Sequence, residues 1–254
     1  MKTVAIGNDF QFPYHDPHAV DLFLDFLFKH SPDTVILNGD IMDAYAAGRF
    51  PRNPIGPQDL DIEIELAQQL MSDVRESGAK EMIWLDGNHE DRIRKLLWKN
   101  TEVIQKFGQK AAEDTAHALS MPNILEFEKF GFQYRPYMEE VQLGKLLVVH
   151  GTWARKHSGY SARAAFEKYG KSVLVAHSHR LGAHYVTQHE EQYGAWENGC
   201  LCELSPEWSR INNWQHGFSV VHVDEKTGWF NVQQIPILKR KLFFYGAETF
   251  TSAT

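Results

Sequence analysis

Three short apolar runs in the first ninety residues alternate with helical patterns, and each run ends directly in a cluster of polar side chains. Residues 3–7 read as a first strand, 34–37 as a second and 81–85 as a third. Between them, 18–30 places Val20, Phe23, Phe26 and Leu27 on one helical face, and 60–76 is a longer amphipathic helix that Gly78 stops. That alternation is the signature of strands and crossover helices about a layered sheet. Ligands in open α/β sheets bind beyond the carboxyl ends of the strands. The clusters Asn8-Asp9, Gly39-Asp40 and Asp86-Gly87-Asn88-His89 therefore stand where a site is expected.

From Ile124 onward the pattern turns to β, with strands expected at 145–149, 172–176, 183–187, 218–223 and 229–235 and a hairpin turn at 224–228. No linker, repeat or low-complexity stretch interrupts the chain, so 1–254 is expected to form one domain. Its 254 residues, 43% of them hydrophobic, suffice for a substantial core. The formal charge of -7 argues against a surface built throughout to hold a phosphate backbone. A local strip is still open: 90–120 reads as helical and polar, with Arg92, Arg94, Lys95, Lys99, Lys106 and Lys110 along it. It is either a solvated face or a contact strip for a phosphate-rich substrate. Cys200 and Cys202 are too closely spaced for a structural disulfide and too few for a cysteine zinc site, and are expected to pack on opposite faces of a strand. With no signal-peptide core and no membrane-length apolar stretch, a soluble cytoplasmic protein is expected, with no membrane partner.

Five clusters carry chemistry: Asp9-Phe10-Gln11, Gly39-Asp40-Ile41-Met42-Asp43, Gly87-Asn88-His89-Glu90, His150-Gly151 and His177-Ser178-His179. Singly, each has a plain explanation. Gly-Asp after a strand is usually a turn, and a histidine ending a strand is often only a satisfied core residue. Together they supply carboxylate and amide oxygens and imidazole nitrogens, the mixed ligand set that suits manganese, iron or zinc. Asp40 is the natural bridging carboxylate, and His177 and His179, one residue apart, can converge on adjacent ions.

In order and chemistry these five clusters resemble the calcineurin-like metallophosphoesterases over most of the chain, from Asp9 to His179. The resemblance implies an α/β fold in four layers, α/β/β/α: a sandwich of two mixed β-sheets flanked by helices. It implies two divalent metal ions, manganese first, with iron, zinc and magnesium as alternatives. Asp9, Asp40 and His179 would hold one ion, and Asp40 would bridge to a second held by Asn88, His150 and His177. His89 matches the family's catalytic histidine and Asp43 the carboxylate that orients it. The continuations after Asp9 and His89 look most like small bacterial and phage-type members. One position departs from the pattern: where the first motif has Asp-x-His, this chain has Gln11, a weaker ligand for zinc or iron.

The implied activity is hydrolysis of a phosphate ester by a metal-activated hydroxide, with His89 as the proton donor to the leaving group. A phosphodiester or nucleic-acid-related substrate is favoured by the resemblance to small phage-type members, which often accompany nucleic-acid functions, and by the basic helix at 92–110. The partner implied is a phosphate ester, with nucleic acid or a nucleotide as candidates. Arg92 is read as an exposed helix-start residue in preference to a phosphate clamp, and Trp153, Trp196 and Trp214 as core or groove aromatics. The rival reading is a catalytically weak protein that keeps the fold and binds a phosphorylated ligand or a partner, with Gln11 the one feature in its favour.

Overall fold

The computed structural model describes residues 1–48, 60–207, 209–244 and 248–251. Along the chain run β1 (Lys2–Gly7), α1 (Pro17–His30), β2 (Thr34–Asn38), α2 (Leu60–Glu76) and β3 (Glu81–Leu85). A helical excursion follows: α3 (Asp91–Lys99), α4 (Thr101–Gln105), α5 (Gln109–Ala118), α6 (Met121–Ile124) and α7 (Phe127–Phe130). Then come β4 (Gln133–Arg135), β5 (Val141–Leu143), β6 (Leu146–Val149), α8 (Tyr160–Tyr169), β7 (Ser172–Val175), β8 (Leu181–Gln188) and β9 (Glu191–Asn198). The chain closes with β10 (Gly217–Val223), β11 (Phe230–Leu238), β12 (Lys241–Phe244) and β13 (Glu248–Thr251).

The strands form two sheets, in the orders β13-β12-β11-β10-β1-β2-β3-β4 and β5-β6-β7-β9-β8. Both are mixed: β1, β2 and β3 are parallel and so are β6, β7 and β9, while β10 and β8 pair antiparallel. Alternate residues of a strand face opposite sides, and both sides of the large sheet are apolar. Val4, Ile6, Ile36, Ile83 and Leu85 turn inward to meet Leu146, Val148, Leu174 and Trp196 of the small sheet. Ala5, Val35, Leu37 and Trp84 turn outward under α1 and α2, packing with Phe23, Phe26, Leu70 and Val74. On the far side, α8 lays Ala162, Ala165 and Phe166 over Val173 and Val175. This is the expected α/β/β/α sandwich.

Helix α1 starts where its sequence says it should. Asp16 accepts a hydrogen bond from the Ala19 N–H at 2.9 Å, and Pro17, which has no N–H to leave unpaired, takes the first turn.

The second half is less uniformly β than expected, because α8 lies within it. Its spacing of Ala162, Ala165 and Phe166 followed by Gly170 was a legible helical signal. Strands β4, β5, β9, β12 and β13 were not anticipated either. The hairpin joining β8 to β9 turns on His189 and Glu190, both at positive φ (49° and 68°), where an Asn-Gly pair normally advertises such a turn.

Candidate metal centre

The carboxyl ends of the parallel strands converge. Gly7 stands beside Leu37 and Asn38 beside Leu85, so Asp9, Asp40 and Asn88 leave the large sheet at one rim. Val149 stands beside Val175, so His150 and the turn carrying His177 and His179 leave the matching rim of the small sheet. Hydrogen bonds tie the rims together: the Asn38 amide donates to the Val149 carbonyl (3.1 Å), His150 Nδ1 lies 2.8 Å from the Asn38 carbonyl, and the His177 N–H donates to Asp9 Oδ2 (3.0 Å).

Two sets of ligand atoms result, each lying within 4.8 Å of one another: Asp9, Asp40 and His179, and Asp40, His150 and His177. Asp40 belongs to both. His179 Nε2 is 3.2 Å from Asp9 Oδ1, and His150 Nε2 is 3.3 Å from Asp40 Oδ1. The side-chain nitrogen of Gln11 is 3.2 Å from His179 Nε2, so the substituted position reaches the first set. Its amide can turn over to present oxygen with the rest of the chain unmoved.

Three features fit these residues to cations. Asp9, Gln11 and Asp40 (φ 52° each), His177 (65°) and His179 (57°) all lie in the left-handed region, at roughly 1–3 kcal/mol each for a side chain other than glycine. Asn88 Oδ1 and His177 Nδ1 are buried atoms with no hydrogen-bond partner, again at roughly 1–3 kcal/mol each, and Asp9 Oδ1 and His150 Nε2 have only ion-pair contacts, at 3.2 and 3.3 Å, without hydrogen-bond geometry. Finally, the backbone makes room. A Cβ on Gly39 (φ 81°) would strike the His150 ring, and one on Gly87 would strike the Asp40 carboxylate. Strain and unmet bonding concentrated on one donor set is what a ligand site requires.

Electrostatics point the same way. Burial opposes the Asp40 charge, yet His150 and His89 hold its carboxyl well below the usual range. Burial also opposes a charged His150, but Asp40 and Asp9 outweigh it and push it up to about 10. Burial and the neighbouring His150 push His177 down to about 4, leaving it a neutral donor.

Beside this set, His89 Nδ1 is 2.9 Å from Asp43 Oδ1 and 3.0 Å from the Asp43 carbonyl. Burial works against a charged ring, and Asp40 and Asp43 overcome it, so the imidazole is raised from its ordinary value. Arg92 is not the exposed residue expected from sequence. It donates to the Asp43 carbonyl at 2.7 Å and stands 2.9 Å from His89 Nε2, the nitrogen that faces Asp40 Oδ2 at 3.7 Å. Arg92 opposes the imidazolium and the two carboxylates favour it; the carboxylates prevail. Glu90, named in the third cluster, has no role assigned to it from sequence. Its buried carboxylate accepts the N–H groups of Asp40 (3.1 Å), Ile41 (2.7 Å), Met42 (2.9 Å) and Gly87 (2.8 Å), clamping two site loops together.

The aromatic expectations divide. Trp214 lies on His179, ring centres 4.2 Å apart. Trp196 packs against Tyr185 and Phe230 within and beside the sheets, and Trp153 against Tyr169. Cys200 and Cys202 do not face opposite ways: both are buried near His179, because residues two apart on extended backbone share a side.

The sequence model of the family described as calcineurin-like phosphoesterase matches residues 3–207. The chain is 24% identical over 245 residues to the Gene 54 protein of Mycobacterium phage D29, covering 88% of this chain and 89% of that one. The counterpart from Mycobacterium phage L5 is 23% identical over 248 residues, with the same coverage. Among solved structures, a Vps29 single mutant from Entamoeba histolytica aligns with a TM-score of 0.48 at 12% identity, covering 99% of both chains. The phosphoesterase Yfce from E. coli aligns with a TM-score of 0.39 at 11% identity, covering 88% of both.

Proposed function

The chain belongs to the calcineurin-like phosphoesterase family, a metal-dependent hydrolase of phosphoric esters, and from that premise we propose a two-ion enzyme acting on a phosphodiester or a nucleic-acid-related substrate. In this reading Asp9, Gln11, Asp40 and His179 hold one ion, and Asp40, Asn88, His150 and His177 the other. The observation that carries it is Asp40: one buried carboxylate shared by two donor sets whose remaining atoms are strained or unpartnered. The family implies divalent ions. Manganese suits this donor set, since oxygen ligands and imidazoles accompany a first position where an amide replaces imidazole. When bound, the pair of ions would lower the pKa of water and neutralise phosphoryl oxygens.

The chain's own residues supply the rest. With Arg92 drawn off the ring, His89, oriented by Asp43, would carry a proton at the nitrogen facing the donor sets and give it to the departing oxygen. Arg92 holds the Asp43 carbonyl and occupies the space before His89 Nε2, where a phosphoryl oxygen would draw its guanidinium away from the ring. α3 begins directly after the site, and its exposed Trp98 carries Arg94 over its ring at 4.6 Å, with that guanidinium paired to Asp91; the aromatic face supports a base contact more than a phosphate one. We place residues 1–254 in one domain and the protein in the cytoplasm; the two free thiols support a reducing compartment, and no helix among the described residues is long and apolar enough to cross a membrane.

The test is His89→Ala on a panel of monoesters, diesters, cyclic nucleotides and single-stranded DNA. The variant should keep its metal and lose roughly 10²- to 10⁴-fold in rate on poor leaving groups, and less on acidic ones. An equal loss on both would assign His89 to phosphate binding. The rival reading, a weak binder of phosphorylated ligands, draws on Gln11 alone; metal-loaded protein that turns over none of the panel would establish it.

A further inference from the structure

Behind the first donor set lies a group of side chains that the hydrolytic reading leaves unused. Cys200 and Cys202 are buried free thiols, and with His179 they form a third set of ligand atoms lying within 4.8 Å of one another. His179 stands between the two sets. Its Nε2 faces Asp9 at 3.2 Å and its Nδ1 faces Cys202 Sγ at 3.5 Å.

The backbone holds this arrangement from several sides. Leu201, between the two cysteines, donates its N–H to the Asp9 carbonyl (3.1 Å), and Gln215 donates to the His179 carbonyl (2.9 Å). The Cys200 N–H donates to the Gln215 carbonyl (3.0 Å), and His216 Nε2 is 2.7 Å from the Cys202 carbonyl. The cysteine segment is therefore anchored to two residues of the hard-metal centre, independently of any contact between sulfur and imidazole.

We propose that Cys200, Cys202 and Nδ1 of His179 form a second, thiophilic metal site, one that takes zinc or a similarly soft divalent cation and shares an imidazole with the hard-metal centre. The spacing fits. On a tetrahedral zinc ion, with sulfur at about 2.3 Å and nitrogen at about 2.0–2.1 Å, two such ligands stand about 3.6 Å apart. A hydrogen bond from Nδ1–H to sulfur would explain Cys202 alone. Cys200, whose sulfur is the third ligand atom of the set, donates its S–H to the Gln215 carbonyl at 3.6 Å; with that thiol deprotonated the carbonyl is a candidate fourth donor, and two separate hydrogen bonds give no reason for both sulfurs to gather at one imidazole.

Softness sorts the two sites. Thiolates select zinc or cadmium, whereas the oxygen-rich set in front of Nε2 accepts manganese and magnesium. Binding expels the thiol protons and the Nδ1 proton, so that His179 bridges two cations through its two nitrogens. Those cations repel across one ring. Occupancy of the thiol site therefore weakens manganese at the first site, by about 5- to 150-fold if the coupling is of the usual size, and the reverse holds equally. In this way an excess of soft metal would act as a brake on the enzyme.

The experiment titrates manganese-loaded, full-length protein with cadmium. One equivalent should produce thiolate-to-cadmium absorption in the ultraviolet and two sulfur ligands per ion by X-ray absorption, while free manganese, followed by electron paramagnetic resonance, rises. Cys200→Ser/Cys202→Ser should abolish the absorption and leave manganese bound. Should that variant fail to fold, the sulfur count on the wild type decides alone. Cadmium ligated only by oxygen and nitrogen, or absorption unaccompanied by manganese release, overturns the shared site. The inference rests on the hydrolytic reading only for the hard ion at Nε2; sulfur ligation is read without activity, so loss of either result does not mimic loss of the other.

Discussion

Replacing Glu90 by glutamine tests whether one carboxylate holds the metal centre together. Oε2 accepts the Asp40 and Gly87 N–H groups, Oε1 those of Ile41 and Met42, and the residue is 1% exposed. Four donors on two oxygens leave no position for a carboxyl proton, so the group acts as an anion. Glu90→Gln keeps the shape but turns one oxygen into an NH₂ that faces two N–H groups. Hydrogen bonds to a charged acceptor contribute about 1.5–3 kcal/mol each, so losing two costs about 3–6 kcal/mol. Part is recovered. Burial and the nearby Asp40 raise the Glu90 carboxyl above its ordinary value, and a neutral amide relieves both, leaving a net loss of about 2–4 kcal/mol. Urea unfolding of metal-free protein should show this as a lower midpoint at unchanged slope. Because the displaced N–H groups belong to the Asp40 loop and to Gly87, just before Asn88, the variant should also bind fewer than two ions. Stability within about 0.5 kcal/mol of wild type, with unchanged metal content, would refute the clamp.

At position 11, Gln11→His should lower the manganese concentration for half activation by about tenfold, and Gln11→Ala should raise it; calorimetry showing no change in either would remove residue 11 from the first site. Metal binding should strengthen with rising pH. His150, raised to about 10, carries a proton below that value and must release it to coordinate, so apparent affinity should fall by roughly tenfold for each pH unit below about 10. Calorimetry in buffers of different ionisation heat should detect that proton; pH-independent binding would contradict the assignment. Glu63, buried on α2, accepts the Ala44 N–H at 2.6 Å, and burial raises its carboxyl from 4.5 to about 7. A folded value above the unfolded one adds stability that is complete below pH 4.5 and lost as pH rises through about 7, amounting to roughly 3 kcal/mol. Glu63→Gln should abolish that component, seen as a stability difference from wild type that changes between pH 4 and 8; a constant difference would show that Glu63 does not titrate there.

Periodicity made the first three strands, α1 and α2 readable, because each has a buried face repeated at its own spacing. The boundaries of α2 and β3 came out as read, at Leu60–Glu76 and Glu81–Leu85. The short strands β4 and β5 have three residues each, too few to show a period. β9 begins on exposed Glu191 and Gln192, and only its second half is buried against β7. Such strands are specified by their partners, which lie far away in sequence. Arg92 was misread for a related reason. A helix-start arginine is ordinarily solvated, and only the fold brings Asp43 and His89 within its reach.

The sequence by itself determined which atoms are available: hard oxygens at Asp9, Asp40 and Asn88, imidazoles at His89, His150, His177 and His179, and the amide at Gln11. It also determined where along each strand they stand, since a strand of four to six residues must end where its apolar run does. Which atoms meet was decided only by the tertiary structure. Asp9 and His179 stand 170 residues apart along the chain, yet Asp9 Oδ1 and His179 Nε2 lie 3.2 Å apart. That distance comes from the register of two stacked sheets, from glycines that leave room for His150 and Asp40, and from a buried carboxylate at Glu90 that fixes one loop against another. The same closure set Cys200 and Cys202 behind His179, because sheet packing is a many-body condition that no local pattern encodes.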